Sequence, residues 1–455
     1  MQIWFSYRNI CIDFDKYINK EAMIEEFSFE NFRSFKEMTT LNLTAANIKS
    51  RLSNLDTDNI IPLNNQMALL KAKAIYGANA SGKSNIVKAL TSFIYIVVFS
   101  VKDENVLRKT LTPFLLSMES IEKPTFFQLV FWMDKVRYRY GFQADKEKIH
   151  AEWLYSTPGK REQPLFIREG KSLISTNKTH FSEGKTLLKL IENDENNPIF
   201  RENSLFLTSL SSFGVGKLSK MLVEEIGQMH VINRLKHPGA FEKSRAALES
   251  PEMKKQIEAF LALADTGVDQ LETIEVPSSE GDENEHELNE QKKKWVVAVK
   301  KVYNAEYQKV ATMPMPISLF ESEGTNKMFE ISTYIINSLR KGRTLMIDEF
   351  VARFDPLITQ KLVELFNSVA NKEGQVIFVT HDTNLLSADL LRRDQIEFVE
   401  KDKYGASHLY TLVQFKGIRD TDSFEKNYIR GKYGAIPFVG DMNRLFADIQ
   451  DDAKA

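Results

Sequence analysis

Gly77-Ala78-Asn79-Ala80-Ser81-Gly82-Lys83-Ser84 decides the fold. It is a complete G-x-x-x-x-G-K-S/T loop. Ala74-Ile75-Tyr76 before it reads as the end of a buried strand, and Asn85-Ile86-Val87-Lys88-Ala89-Leu90 after it has helical apolar spacing. Gly77 and Gly82 permit backbone torsions closed to other residues, so successive amide N–H groups, from Gly77 through Asn85, can turn toward phosphate oxygens at the positive end of the helix. Lys83 is expected to reach the terminal phosphates, and the Ser84 hydroxyl to supply one ligand to Mg2+. The stretch predicts a nucleoside triphosphate site.

The motifs downstream decide which engine surrounds that site. Thr344-Leu345-Met346-Ile347-Asp348-Glu349 is an apolar strand ending in two acids, the Walker B pattern. Asp348 is placed to hold Mg2+, and Glu349 to orient or deprotonate the attacking water. Asp355 follows seven residues after Asp348, where ATP-binding-cassette (ABC) ATPases carry their D-loop aspartate. A second apolar strand, Gln375-Val376-Ile377-Phe378-Val379, runs into Thr380-His381-Asp382, and His381 resembles the switch histidine of those enzymes. About one helix length before Walker B, Glu321-Ser322-Glu323-Gly324-Thr325-Asn326-Lys327 resembles a divergent signature motif, with Glu323 where a glycine is usual and Thr325 where a glutamine is usual.

The resemblance to ABC ATPases implies that this signature serves another subunit. Ser322, Gly324 and Thr325 of one copy are expected to close over the phosphates held by Lys83 and Ser84 of another, in a head-to-tail homodimer or a higher homo-oligomer bound to ATP and Mg2+.

Phe27-Ser28-Phe29-Glu30-Asn31-Phe32-Arg33-Ser34-Phe35 is similar to the opening strand and turn of SMC, RecF and OLD-like ATPases, whose arginine approaches the nucleotide; this implies a nucleotide contact for Arg33. Tyr76 to Asn85, Thr112-Pro113-Phe114, Tyr138-Arg139-Tyr140-Gly141-Phe142, Glu321 to Thr325, Arg393-Asp394-Gln395-Ile396 and the tail Tyr428 to Pro437 resemble the AAA-fifteen ATPase family over about residues 23 to 440. That resemblance implies a prokaryotic ATPase of defence loci, related to the ATPases of abortive-infection and PARIS-type anti-phage systems. Such ATPases work beside a separately encoded effector, for example a RloB-like or other Toprim-type nuclease, and the resemblance implies a phage-derived trigger among the partners. The stretch Phe350-Val351-Ala352-Arg353-Phe354 departs from the Leu-Asp-rich segment usual in the family.

The 455-residue chain is long enough for two or three domains, and its 43% hydrophobic and 27% charged content is an ordinary soluble balance. A formal charge of −2 provides no global positive field, so contact with nucleic acid requires a local patch. The single cysteine, Cys11, permits no intrachain disulfide and fits a reducing cytosol, hence a cytoplasmic expectation. The longest apolar stretch, Ala89 to Val101, is too short for a bilayer, so no membrane association is expected. Residues 1–22 lack the order of a signal peptide.

The fold expected is α/β: an ABC-type P-loop head, with a mixed sheet, helices and an antiparallel β layer, interrupted by a helical arm or lid. Residues 1–22 form an extension, and 23–182 the first lobe, with the P-loop and the antiparallel layer. Phe126 to Trp132 and Val136 to Phe142 flank Asp134-Lys135 as a hairpin, extended by Ile149 to Tyr155 and Pro164 to Ile167. The arm is read over 183–310, with Leu218, Leu222, Ile226 and Met229 on one helix face, Met253, Ile257, Phe260 and Leu261 on another, and an acidic loop over 278–294 in which His286 has no second ligand cluster. The second lobe covers 311–440, and 441–455 is a tail. Gln128 and Gln143 both lie where a Q-loop glutamine belongs, and neither is assigned.

Three functional classes follow. The first is an ATP-driven switch controlling an effector. The second is a RecF- or SMC-like DNA-binding repair ATPase, for which Lys71, Lys73, Arg392 and Arg393 are the candidate patch. The third is an OLD-type nuclease, whose Toprim domain the 74 residues after His381 leave no room for.

Overall fold

The computed structural model describes residues 22–177, 179–183, 201–214, 216–233, 239–276, 293–350, 354–418 and 422–437. Cys11, most of the 1–22 extension, most of the acidic loop with His286, Val351-Ala352-Arg353 and the 441–455 tail lie outside them.

In chain order the strands are β1 (Met23–Glu30), β2 (Thr39–Asn42), β3 (Ile60–Pro62), β4 (Ala68–Leu70), β5 (Ala72–Gly77), β6 (Thr125–Met133), β7 (Val136–Ala144), β8 (Ile149–Thr157), β9 (Gln163–Glu169), β10 (Ser172–Thr176), β11 (His230–Ile232), β12 (Leu271–Val276), β13 (Lys293–Tyr303), β14 (Lys309–Pro316), β15 (Thr344–Ile347), β16 (Gln375–Val379), β17 (Ile396–Lys401) and β18 (Ser407–Thr411). The main helices are α1 (Lys83–Phe99), α2 (Phe206–Ser212), α3 (Lys217–Gly227), α4 (Ala240–Ala247), α5 (Pro251–Leu263), α6 (Glu323–Lys341), α7 (Pro356–Asn367) and α8 (Phe424–Ile429).

Two sheets organise the chain. One is an antiparallel sheet of seven strands, in the order β10-β9-β8-β7-β6-β1-β2; the other has six, in the order β11-β15-β16-β5-β17-β18. The first five of those six run parallel and β18 is antiparallel to β17. The β6–β7 turn is tight because Asp134 and Lys135 both take positive φ, 52° and 62°, which matches the right-handed twist of the flanking strands.

Helix α1 is clamped between the sheets. Its Ile86, Val87, Leu90, Phe93 and Ile96 pack with Phe27, Phe127 and Phe142 of the antiparallel sheet and with Ile75, Met346, Ile377 and Val399 of the parallel one. Phe93 stacks on Phe142 at 5.7 Å. On the far face of the parallel sheet a second core joins Tyr76, Leu345 and Phe378 to Phe329 and Ile335 of α6. This is an ABC-type head: antiparallel layer, P-loop helix, parallel sheet, outer helices. Gln375 pins the two sheets together, accepting from Ile24 N–H at 2.7 Å and donating to Ile24 O at 3.0 Å.

The helical insertion is not a free arm. Strand β11 pairs in parallel with β15, His230 opposite Leu345, and so forms the edge of the ATPase sheet. Leu205, Phe206, Leu210, Leu222 and Ile226 join the core around α1. Buried Glu152 on β8 accepts from the Phe206 and Leu207 amides at 2.6 and 3.0 Å and pairs with buried Arg168 at 3.2 Å, which anchors the start of α2. The 183–310 boundary is therefore corrected: described residues from about 204 to 232 belong to the head, because burying α2 and α3 on α1 removes their apolar stripes from water. Helices α4 and α5 lie against α6. The β12–β14 sheet buries Leu271, Val296 and Ala298 in the second core, while Val310 and Met313 of β14 and Tyr307 in the turn before it are exposed.

Candidate active site

Every element that builds the cleft ends at the same edge of the parallel sheet. Strand β5 runs into Gly77, and α1 begins at Lys83, with Gly82 at φ 116°. A Cβ at Gly82 would fall on the Ser407 hydroxyl, and one at Gly77 on the Val399 carbonyl. The glycines are thus required by contact as well as by torsion. Residues Asn79, Ala80, Gly82, Lys83, Ser84 and Asn85 line a cleft of about 360 Å3 together with Asp348, Glu349, Val379, His381 and Lys401.

Lys83 is 5% exposed and donates to the carbonyls of Gly77 and Ala78, both at 2.8 Å. Burial brings its ammonium down to about 8, against the raising pull of Asp348 and Glu349. Asp348 follows β15, and its amide donates to Ile232 O at 2.9 Å, so β11 helps to fix its position. Burial raises the Asp348 carboxyl, Glu349 adds to that, and the Ser84 hydroxyl opposes it. Both Asp348 carboxylate oxygens are nonetheless buried without a hydrogen bond of ordinary geometry among the described residues. Such an uncompensated carboxylate beside a P-loop serine fits Mg2+, which takes one or two protein oxygens and fills its octahedron with phosphate and water. Among the described residues no cluster of three or more metal-ligating side chains exists, so a site for an all-protein cation cage is not found there.

Glu349 is exposed to the cleft with φ 55°, a conformation unfavourable for a side chain with a Cβ. Its neighbour Phe350 is held by an N–H bond to Val379 O at 3.1 Å. His381 sits beyond β16. Burial, then the Lys83 cation, lower its imidazole below the ordinary value, with Asp348 opposing, which favours the neutral ring.

The remaining sequence candidates lie elsewhere. Ser322 caps α6, accepting from Thr325 N–H at 3.1 Å and bonding the Thr325 hydroxyl at 3.0 Å. Gly324 is in the first turn of that helix. Asp355 caps α7 by accepting from Leu357 N–H at 2.8 Å. None of Ser322, Gly324, Thr325 or Asp355 lines the cleft. Helix α6 has 19 residues, about 28 Å. It ends at Gly342, just before β15 begins at Thr344.

Arg33 takes φ 53°, donates its amide to Thr112 O at 2.8 Å, and is not among the cleft-lining residues; burial lowers its guanidinium. Its neighbour Ser34 touches the P-loop instead, bonding Asn85 Nδ2 and the Ser407 hydroxyl, each at 2.8 Å. Gln128 is occupied within the antiparallel sheet by Trp153 and Arg139, and neither it nor Gln143 lines the cleft. Lys401 and the Ser34–Ser407 pair escaped the sequence reading, since a lysine or serine at a strand end reads as solvated.

The candidate DNA patch is dismantled. Lys71 is buried and donates to Ser368 O at 2.9 Å, and Lys73 is buried and paired with Glu397 at 2.7 Å. Arg392 is buried between Asp56 and Asp394 at 2.8 and 2.7 Å. Three of its four cations are spent inside the fold.

Fold and site together define an ABC-type P-loop ATPase. The model of a family described as "AAA domain, putative AbiEii toxin, Type IV TA system" matches residues 74–387, and the chain belongs to that family. The match supports the AAA-type ATPase expected from the motifs. No curated protein matches. Similar solved structures include an SMC head bound to the C-terminal winged-helix domain of ScpA (14% identity, 86% of this chain and 97% of that one, TM-score 0.38). The SMC head domain from Thermotoga maritima is similar at 13% identity, 86% and 98% coverage, and TM-score 0.39. A Pyrococcus furiosus Smc head with an extended coiled coil, bound to the C-terminal domain of ScpA, is similar at 13% identity, 90% and 99% coverage, and TM-score 0.37. No helix among the described residues is long and apolar enough to cross a membrane.

Proposed function

We propose that this ATPase is the regulatory switch of an anti-phage, abortive-infection system: two copies close head to tail over ATP and Mg2+, and their state controls a separately encoded effector, a nuclease. The observation that carries the reading is the division of the site. Lys83, Ser84, Asp348, Glu349 and His381 share one cleft, whereas the Ser322 turn, at the start of α6, is not part of its lining. A helix N-terminus offers amide donors to anions, and in the proposed dimer the α6 N-terminus offers them to the phosphates held by the second copy.

Within each cleft, the P-loop amides and Lys83 hold the phosphates, and Ser84 and Asp348 are the residues that would hold Mg2+. Bound there, the metal supplies charge neutralisation of the phosphates. Glu349 orients the attacking water and takes its proton, while His381 hydrogen-bonds the terminal phosphate. Membership of a family described by a toxin–antitoxin system supports the defence setting.

The test pairs the purified chain with the product of the neighbouring reading frame and offers both plasmid DNA and tRNA. Cleavage that requires both proteins and responds to ATP supports the switch. Cleavage by the 455-residue chain alone, or an effector indifferent to the ATPase, contradicts it.

A further inference from the structure

Lys401 lines the nucleotide cleft, yet no motif accounts for it. It is the last residue of β17, which pairs in parallel with β5, Val399 opposite Gly77. Lys401 therefore continues two residues beyond the strand register at which the P-loop begins. The sheet order β15-β16-β5-β17 fixes its side. Asp348, Glu349 and His381 follow β15 and β16, on one flank of the P-loop; Lys401 is on the opposite flank.

That polarity orients the nucleotide. The water-activating carboxylate and the metal-holding aspartate mark where the γ-phosphate lies, so the chain of phosphates crosses the P-loop with its nucleoside end toward β17. We infer that Lys401 is a nucleotide-binding residue on the nucleoside side, its ammonium contacting the α-phosphate.

Two observations strengthen the assignment. No carboxylate pairs with Lys401 among the described residues, in contrast to Lys73 and Arg392. Its backbone is also held in place. Lys401 stands opposite Ser407 across the β17–β18 ladder. Ser407 donates its amide to Ser34 O at 2.7 Å and its hydroxyl to Ser81 O at 2.5 Å. The strand end carrying the lysine is thereby tied to the loop that carries the phosphates. A flexible cation on a fixed stem meets a diffuse anion without needing bidentate geometry.

The inference rests on the cleft being the nucleotide site, so the experiment separates the two. Binding of ATP and of ADP is measured for the wild-type chain, Lys401→Gln, Lys401→Arg and Lys83→Ala, with steady-state hydrolysis alongside. An α-phosphate contact is common to both nucleotides. Lys401→Gln is thus expected to weaken ATP and ADP alike by about ten-fold, the scale of one charge-assisted hydrogen bond. KM rises in step, kcat falls less than two-fold, and Lys401→Arg restores most of the affinity. Unchanged ADP affinity in Lys401→Gln, with Lys83→Ala unable to bind, overturns the inference and leaves the site intact. A loss confined to ATP also overturns it, by placing Lys401 at the γ-phosphate. Full binding by Lys83→Ala overturns the site itself.

Discussion

Ser407 donates its hydroxyl to the carbonyl of Ser81 at 2.5 Å, and so ties the β17–β18 hairpin to the middle of the P-loop 326 residues earlier in the chain. The same hydroxyl bonds that of Ser34 at 2.8 Å, and Ser34 bonds Asn85 at the first turn of α1. The loop and the helix turn after it are thus braced from behind by two serines, Ser407 on Ser81 and Ser34 on Asn85.

Replacing Ser407 with alanine removes those bonds and leaves the buried Ser81 carbonyl unsatisfied. The expected cost is about 1–3 kcal/mol of unfolding free energy, read by urea denaturation, with ATP affinity lowered several-fold as the P-loop relaxes. Wild-type stability and affinity in Ser407→Ala would remove the brace from the account.

Lys83 carries a second expectation. Lys83→Ala should abolish nucleotide binding, since the cation at the heart of the cleft is lost. In the wild-type chain burial places the ammonium at about 8. It is charged below that pH and neutral above it, whereas phosphate contact favours the charged form. ATP binding therefore draws in a proton as pH rises past 8, and affinity declines from there toward pH 10, by at most about ten-fold per unit. Calorimetry in buffers of different ionisation enthalpy reads the proton directly, and an affinity that is flat between pH 7 and 10 contradicts the assignment.

Glu349 combines chemistry with strain at φ 55°. Glu349→Gln keeps the backbone and removes the base, so it should bind ATP with Mg2+, hydrolyse it slowly and accumulate as the closed dimer on sizing. Glu349→Gly should be about as slow yet melt above Glu349→Ala, because glycine accepts this φ without penalty, worth about 1 kcal/mol. Equal melting of the two variants means that the strain is absent.

The cleft that Lys83, Ser84, Asp348 and Glu349 share was legible because the P-loop and Walker B each couple an apolar run to an obligatory polar end, and Asp134-Lys135 likewise announced its hairpin through turn chemistry. Other features were not legible. Strand β11 is three residues long and follows directly on α3, so helical spacing masked an edge of the ATPase sheet. Charge alone does not report burial, and Lys71, Lys73 and Arg392 read as a surface patch although all three are buried. Ser34 could not be preferred to Arg33, since only the fold brings β18 and α1 to that turn.

Mixing two inactive variants tests the composite site most directly. Lys83→Ala removes the phosphate cation from one chain, and Ser322→Arg blocks the helix cap of the other. A mixed dimer of the two contains one cleft built from intact Lys83 and intact Ser322. Co-expressed with separable tags and purified as the heterodimer, the pair is predicted to recover a substantial part of the hydrolysis of one wild-type site while each variant alone stays inactive. A heterodimer as inactive as its parents, or a Ser322→Arg protein that hydrolyses ATP at the wild-type rate, contradicts a signature acting across the interface.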